Sequence, residues 1–232
     1  MPGTLGHDLK GALLLELRKH DIAPIRSNID GYSEDDLFDM IEFLYEHCSK
    51  PVERHYHDWD DCAWHCNTFE REPGRQEYRA KVNKVLAPYG PGYELSVDGE
   101  IMALADTGLE GLFEAPIPHV NPDNISARVE AARNKFRRYR SSLDERRNAI
   151  RELADVLEFL RPDLKEVLMP KDESDIFNLA NNFGIRHHNT RQKTEFWYSW
   201  LFYYYLATIH AAVRLIERHK AGGGQAEDAM KR

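Results

Sequence analysis

The chain has 232 residues, 42% of them hydrophobic and 30% charged, with a net charge of −8. That length buries a sizeable core in one or two domains, and the composition excludes a fibrous or disordered chain. Three cysteines do not make a paired disulfide framework, and no basic start followed by an apolar stretch marks a secretory signal. The expected compartment is the cytoplasm.

In chain order, the first predicted helix covers residues 8–20, with Leu9, Leu13 and Leu17 at four-residue spacing. Ser33 reads as an N-cap, because Glu34, Asp35 and Asp36 fill the turn after it. That helix runs to about Cys48 with Leu37, Ile41 and Leu44 inward, joined by Phe38 and Tyr45, and Pro51 stops it. Residues 55–66 hold three His, two Cys and three Asp. His55, His57, Cys62 and Cys66 are the candidate metal ligands, since zinc takes such N and S donors. The competing expectation is a helix over 60–69 that buries Trp59, Cys62 and Cys66. A further helix over 76–86 places Tyr78, Val82 and Val85 on one side.

Residues 93–97 and 100–104 alternate about Asp98-Gly99, which suits a two-residue hairpin turn. The prolines at 116, 118 and 122 mark a boundary. Past it, Asn121 or Asp123 can cap a helix with Ile125, Val129, Ala132, Phe136 and Tyr139 on one face. Ser141 or Ser142 caps the next, where Ile150, Leu153, Leu157 and Leu160 repeat and Arg161-Pro162 is the expected end. A shorter helix covers about 172–183, and Gly184 can close it. The last helix covers about 194–219, followed by a Gly-rich tail. The fold class is therefore mainly α: an N-terminal module of helices and one hairpin over 1–115, a helical bundle over 120–220, and a tail over 221–232.

Charge is segregated along this order. Residues 30–72 hold thirteen Asp or Glu against three Lys or Arg, whereas residues 128–151 hold nine Lys or Arg against three acids. Either the two blocks face each other, or the basic block meets nucleic-acid phosphates. Arg133, Arg137, Arg138 and Arg140 are its candidate RNA contacts.

The densest chemistry lies between the last two helices. Arg186, His187, His188, Asn189, Arg191 and Lys193 stand just before an aromatic run from Phe196 to Tyr205. Helix starts favour anions. A neutral His can take a proton from a ribose 2′-hydroxyl while Arg or Lys holds the phosphate, so cleavage there needs no metal. Residues 196–213 carry no formal charge. The tyrosines and His210 argue against a membrane span and for burial, with one face on the chain's own bundle and Trp197, Trp200 and Tyr204 on a second copy.

The basic helix pair, the Gly184-Ile185-Arg186-His187 turn and the aromatic last helix together resemble the HEPN-type helical domains of bacterial abortive-infection proteins. The segment Gly92-Tyr93-Glu94-Leu95-Ser96-Val97-Asp98-Gly99-Glu100-Ile101 is similar to one in AbiJ-like modules that precede such domains. The likeness covers roughly residues 79–218. It implies a four- or five-helix bundle that dimerises, without a cofactor, and a metal-independent ribonuclease or RNA-binding component of phage defence or of a toxin–antitoxin pair. A non-catalytic scaffold that docks a defence partner or antitoxin is the alternative, and a metalloprotein built on the His/Cys cluster is the third reading. In active relatives an Arg is followed four to six residues later by a His at the start of the last long helix. Here Arg186 is followed at once by His187 and His188. In a cleaving version Arg186 steadies the phosphate, His187 or His188 acts as base or acid, Asn189 orients, and Lys193 with Arg191 guides the strand.

Overall fold

The computed structural model describes residues 8–58, 63–117, 125–182 and 194–230, with side chains throughout except at 63, 179–182, 194–196 and 223–230. Among the described residues the fold is mainly helical, with two small antiparallel sheets, and the chain divides into two compact units, Met1–Leu104 and Ala105–Arg232.

In the first unit, helix α1 spans Leu9–Leu17 and is capped by Asp8, whose carboxylate accepts the Gly11 N–H at 2.8 Å. A short helix α2 (Ile25–Asn28) leads to α3 (Glu34–His47). Ser33 caps α3 in a reciprocal box with Asp36, as its sequence predicts. The fully buried residues of α3 are Phe38, Asp39, Met40, Phe43 and Tyr45, while Leu37, Ile41 and Leu44 are only half-buried. The face shifts because α3 is covered on two sides. Met40 and Phe43 join Leu13 and Ile22 in one cluster, and Phe38 meets the Tyr93 ring edge-on at 5.0 Å on the other.

Strands β1 (Lys50–His57) and β2 (Ala63–Glu70) pair antiparallel, with Tyr56 opposite Trp64 and His55 opposite His65. From Ala63 on, the helix expected over 60–69 is a strand, and residues 60–62 lie outside the described residues. Four-residue Cys spacing suggested a helix, but here the side chains alternate between two open faces. Helix α4 (Arg71–Leu86) starts earlier than expected and tolerates Pro73 because first-turn N–H groups have no helical partner. Gly74 permits a close approach: a Cβ there would lie 2.5 Å from Ser49 Cα. Tyr78 and Val82 are half-buried and Leu86 is buried, whereas Val85 is 69% exposed rather than inward.

Strands β3 (Tyr93–Leu95) and β4 (Ile101–Ala103) form the expected hairpin. Its connection is one residue longer than a two-residue turn. The Gly99 N–H donates to Ser96 and the Ser96 N–H to Glu100, so Val97, Asp98 and Gly99 form the loop, with Gly99 left-handed at φ 86°. Side chains from the helices fasten it. Asn83 donates to the Leu95 carbonyl at 3.2 Å and accepts the Leu95 N–H at 2.7 Å, Glu42 accepts the Ile101 N–H at 2.7 Å, and Tyr45 donates to the Val97 carbonyl.

The second unit contains α5 (Glu110–Glu114), α6 (Ala127–Arg137), α7 (Leu143–Val167), α8 (Pro170–Asn182) and α9 (Thr194–Met230). Ser142 caps α7 in a box with Glu145, holding the Glu145 carboxyl below its usual range through the Ser142 N–H and hydroxyl. Ile150, Leu153, Leu157 and Leu160 are all buried, as predicted. Instead of ending at Arg161-Pro162, α7 continues to Val167. Leu164, 1% exposed, extends the buried stripe one more turn, and Arg161 pairs with Glu158 and Glu173. That packing offsets the hydrogen bond lost at Pro162. The stripe packs along α9, whose Leu201, Phe202, Tyr205, Leu206, Ile209, Val213 and Ile216 are buried. Phe136 of α6 stacks on Phe202 with centroids 4.0 Å apart. Helix α9 extends past His219, where the sequence places its end.

Candidate functional site

The loop that carries Arg186, His187, His188, Asn189, Arg191 and Lys193 lies outside the described residues. Its anchors are described: α8 ends at Asn182 and α9 begins at Thr194. Beyond that start, α9 presents two faces. Its inner face is the core stripe, and its outer face carries Trp197 at 41% and Trp200 at 42% exposure. Trp200 stacks on Tyr204 at 5.6 Å and 24°, and Trp197 meets Trp200 edge-on at 5.6 Å. Tyr204 is half-buried against the core. Ser199 and Tyr203 hold the start of the unit: the Ser199 hydroxyl donates to the Asp106 carboxylate at 2.6 Å, and the Asp106 N–H donates to the Tyr203 hydroxyl at 2.8 Å.

The four basic candidates on α6 and the turn after it fall into different environments. Arg133 is 6% exposed and works inside the bundle. It donates to the Ala115 carbonyl at 2.8 Å, pairs with Glu130 at 3.4 Å and reaches His210 Nε2 at 3.3 Å. A guanidinium so enclosed does not reach a phosphate, so Arg133 leaves the candidate RNA surface. Arg137 lies over the Phe113 ring at 4.6 Å and is half-buried. Arg138 and Arg140 are exposed, as is Lys135. A tight turn gathers them: the Ser141 N–H donates to the Arg138 carbonyl at 3.0 Å, and the Ser141 hydroxyl donates to the Lys135 carbonyl. The Arg138 and Lys135 charges reach the Glu145 carboxyl and add to its lowering. The result is a basic corner between α6 and α7.

Sequence reasoning missed the Arg133–His210 pair. Its signal was one histidine inside the apolar run of α9, since a buried imidazole requires a partner. With Arg133 donating to Nε2, the proton sits on Nδ1, which finds no hydrogen-bond partner among the described residues. Burial lowers the His210 pKa first, then the neighbouring Arg133 and Arg214 charges.

The expected metal set is not gathered either. His55 and His57 share one face of the β1–β2 ribbon, whereas Cys66 sits opposite Arg54 on the other face, and Cys62 lies outside the described residues. Among the described residues no group of three His, Cys, Asp or Glu could hold a metal ion.

An open cleft of about 810 Å³ in the first unit is lined by Lys19, His20, Asp21, Asn28, Tyr32 and Asp36 among others. Its polar groups are engaged internally. Lys19 bridges Asp36 and Asp39, drawing the Asp36 carboxyl down to about 2, and the Asn28 amide donates to the Asp21 carbonyl at 2.8 Å. It reads as a structural network. Among the described residues no helix is long and apolar enough to cross a membrane.

Comparison with protein-family models, curated proteins and solved structures finds no match to this chain.

Proposed function

We propose that the chain is an RNA-binding, HEPN-like protein that cleaves RNA without a metal, as a component of a bacterial phage-defence or toxin-type system. The observation that supports this reading is the exposure of Lys135, Arg138 and Arg140 together at the turn between α6 and α7. Such a corner attracts a polyanion at a distance and releases counterions when it docks. In this reading strand and corner meet through phosphates. Arg186 holds the scissile phosphate, and His187 or His188 moves the proton from the 2′-hydroxyl. Asn189 orients the site, and Arg191 with Lys193 guides the strand. Two copies meet through Trp197, Trp200 and Tyr204.

Incubation of the protein with a mixed RNA pool in EDTA tests the chemistry. Discrete fragments, absent with Arg186→Ala, are the expected result. Intact RNA with the native protein would remove the cleavage step.

The second reading is a non-catalytic dimeric scaffold that docks a defence partner or antitoxin. The two half-exposed tryptophans on the outer face of α9 favour it, because aromatic groups with a polar handle suit interfaces. It predicts a stable dimer with no RNA cleavage.

A further inference from the structure

The β1–β2 ribbon is the longest ladder in the described chain, yet every residue of β1 is exposed. On β2 the described side chains are exposed too, apart from a half-buried Cys66. No third strand joins the ribbon among the described residues. A two-stranded ribbon wet on both faces is only marginally stable in water, and an open edge is a template for another strand. One face carries Arg54, Tyr56, Trp64 and Cys66. The Tyr56 and Trp64 rings, each more than half exposed, meet edge-on at 5.5 Å, and the Arg54 guanidinium lies 4.8 Å from the Trp64 ring. The two edges are not equivalent. In β1, Pro51 has no N–H to offer, and α4 sits against the start of the strand, where Gly74 approaches Ser49 and Glu77 pairs with Lys50 at 3.2 Å. β2 contains no proline.

We propose that the β2 edge and the Tyr56–Trp64 face dock an extended segment of a partner protein that carries Lys or Arg at alternate positions. Charge selects this occupant. Residues 1–104 hold eleven Lys or Arg against twenty Asp or Glu, and residues 50–70 hold two against five. Such a surface attracts a cation-rich segment and repels a polyanion such as RNA. A second copy's ribbon is the poorer fit, because it brings the same acidic surplus.

The aromatic face favours the same chemistry. Ring faces attract ammonium and guanidinium groups, and Trp64 already takes one from Arg54. A strand added to an edge hydrogen-bonds through its main chain and places every second side chain on one face. Cations on that face meet the two rings, with the carboxylates of Glu53 and Asp58, both exposed, on the neighbouring strand and just past its end. The docked segment also gives the ribbon the third strand and the cover that it lacks alone. This surface does not depend on the RNA-cleavage reading, which rests on the other unit.

Titration of the isotope-labelled full-length protein with a short peptide of alternating lysine and threonine, followed by NMR, tests the surface. One peptide per chain is expected, with the Trp64 indole signal and the β2 amide signals moving together. A peptide of alternating glutamate and threonine should not bind. Trp64→Ala and Tyr56→Ala should each weaken the lysine peptide by about fivefold or more. Glu53→Gln/Asp58→Asn, which keeps both rings, should weaken it about two- to fivefold. Asp30→Asn/Asp98→Asn, the same charge change elsewhere in the unit, should leave the affinity unchanged. Far-UV circular dichroism reports whether each variant retains its fold. No binding of the lysine peptide, equal binding by Trp64→Ala, or equal binding of the glutamate peptide would each overturn the proposal. So would ribbon signals that move with single-stranded RNA, or that change on dilution without peptide as a second copy in the groove would cause.

Discussion

The two hairpins of the first unit differ in every respect that decides stability. β1–β2 has eight-residue strands and little cover, while β3–β4 has three-residue strands that are largely buried. The short one is held from outside its ladder, by Asn83, Glu42 and Tyr45 and by the packing of Leu95 and Ile101. The long one relies mainly on its own backbone pairing, one aromatic pair, the Arg54–Trp64 contact and a row of imidazoles, with the exposed Lys50–Glu77 pair tying its base to α4. Ladder length is thus a poor guide to robustness. What counts is how many ladder groups and side chains lie under something else.

The largest expected break in this comparison is Gly99→Val. A Cβ there meets the Tyr45 ring at 2.6 Å, and the left-handed backbone at φ 86° excludes a β-branched residue. A loss of about 2–5 kcal/mol, read by chemical denaturation, combines the backbone and overpacking costs. Asn83→Ala comes next. It strips the Leu95 N–H and carbonyl of their side-chain partners at a part-buried site, for about 1–3 kcal/mol.

Histidines repeat the contrast between covered and open groups. His210 is 5% exposed, and its pKa is lowered in the folded protein. The unfolded chain therefore takes up the proton first as the pH falls through about 6.5. Stability is fully retained above that value. It declines below it with a slope of at most about 1.4 kcal/mol per pH unit, until the folded group titrates as well. Denaturation of the native protein and of His210→Phe at pH 7.5 and 5.5 should show a smaller acid loss in the variant. At the open end of the comparison, Trp64→Ala removes one cross-strand aromatic pair that is half in water. It should cost about 0.2–1 kcal/mol, the smallest effect of the four.

Legibility in the sequence follows the same division. Ser33 and Ser142 are readable as caps because their partners Asp36 and Glu145 lie three residues away. The buried stripe of α7 and the hairpin about Asp98-Gly99 are readable because one face of each is covered, which imposes a period. β1–β2 escapes this reading because neither face is buried, so no apolar alternation marks it. Pro162 misleads for the opposite reason: Leu160 and Leu164 pack well enough to carry the helix through a local breaker. Of the basic candidates, the exposed Arg138 and Arg140 and the enclosed Arg133 look alike in the chain. Only the positions of Ala115 and His210, distant in sequence, tell them apart.

In the proposed reading the helical unit meets RNA phosphates through its α6–α7 corner. The most direct test is the salt dependence of single-stranded RNA affinity for the native protein and for Arg138→Ala/Arg140→Ala. Log affinity should fall linearly with log salt. The slope should be shallower by about 0.7 for each lost phosphate contact in the double variant, while the fold is retained. No affinity at low salt, or a slope that the double substitution leaves unchanged, would contradict it.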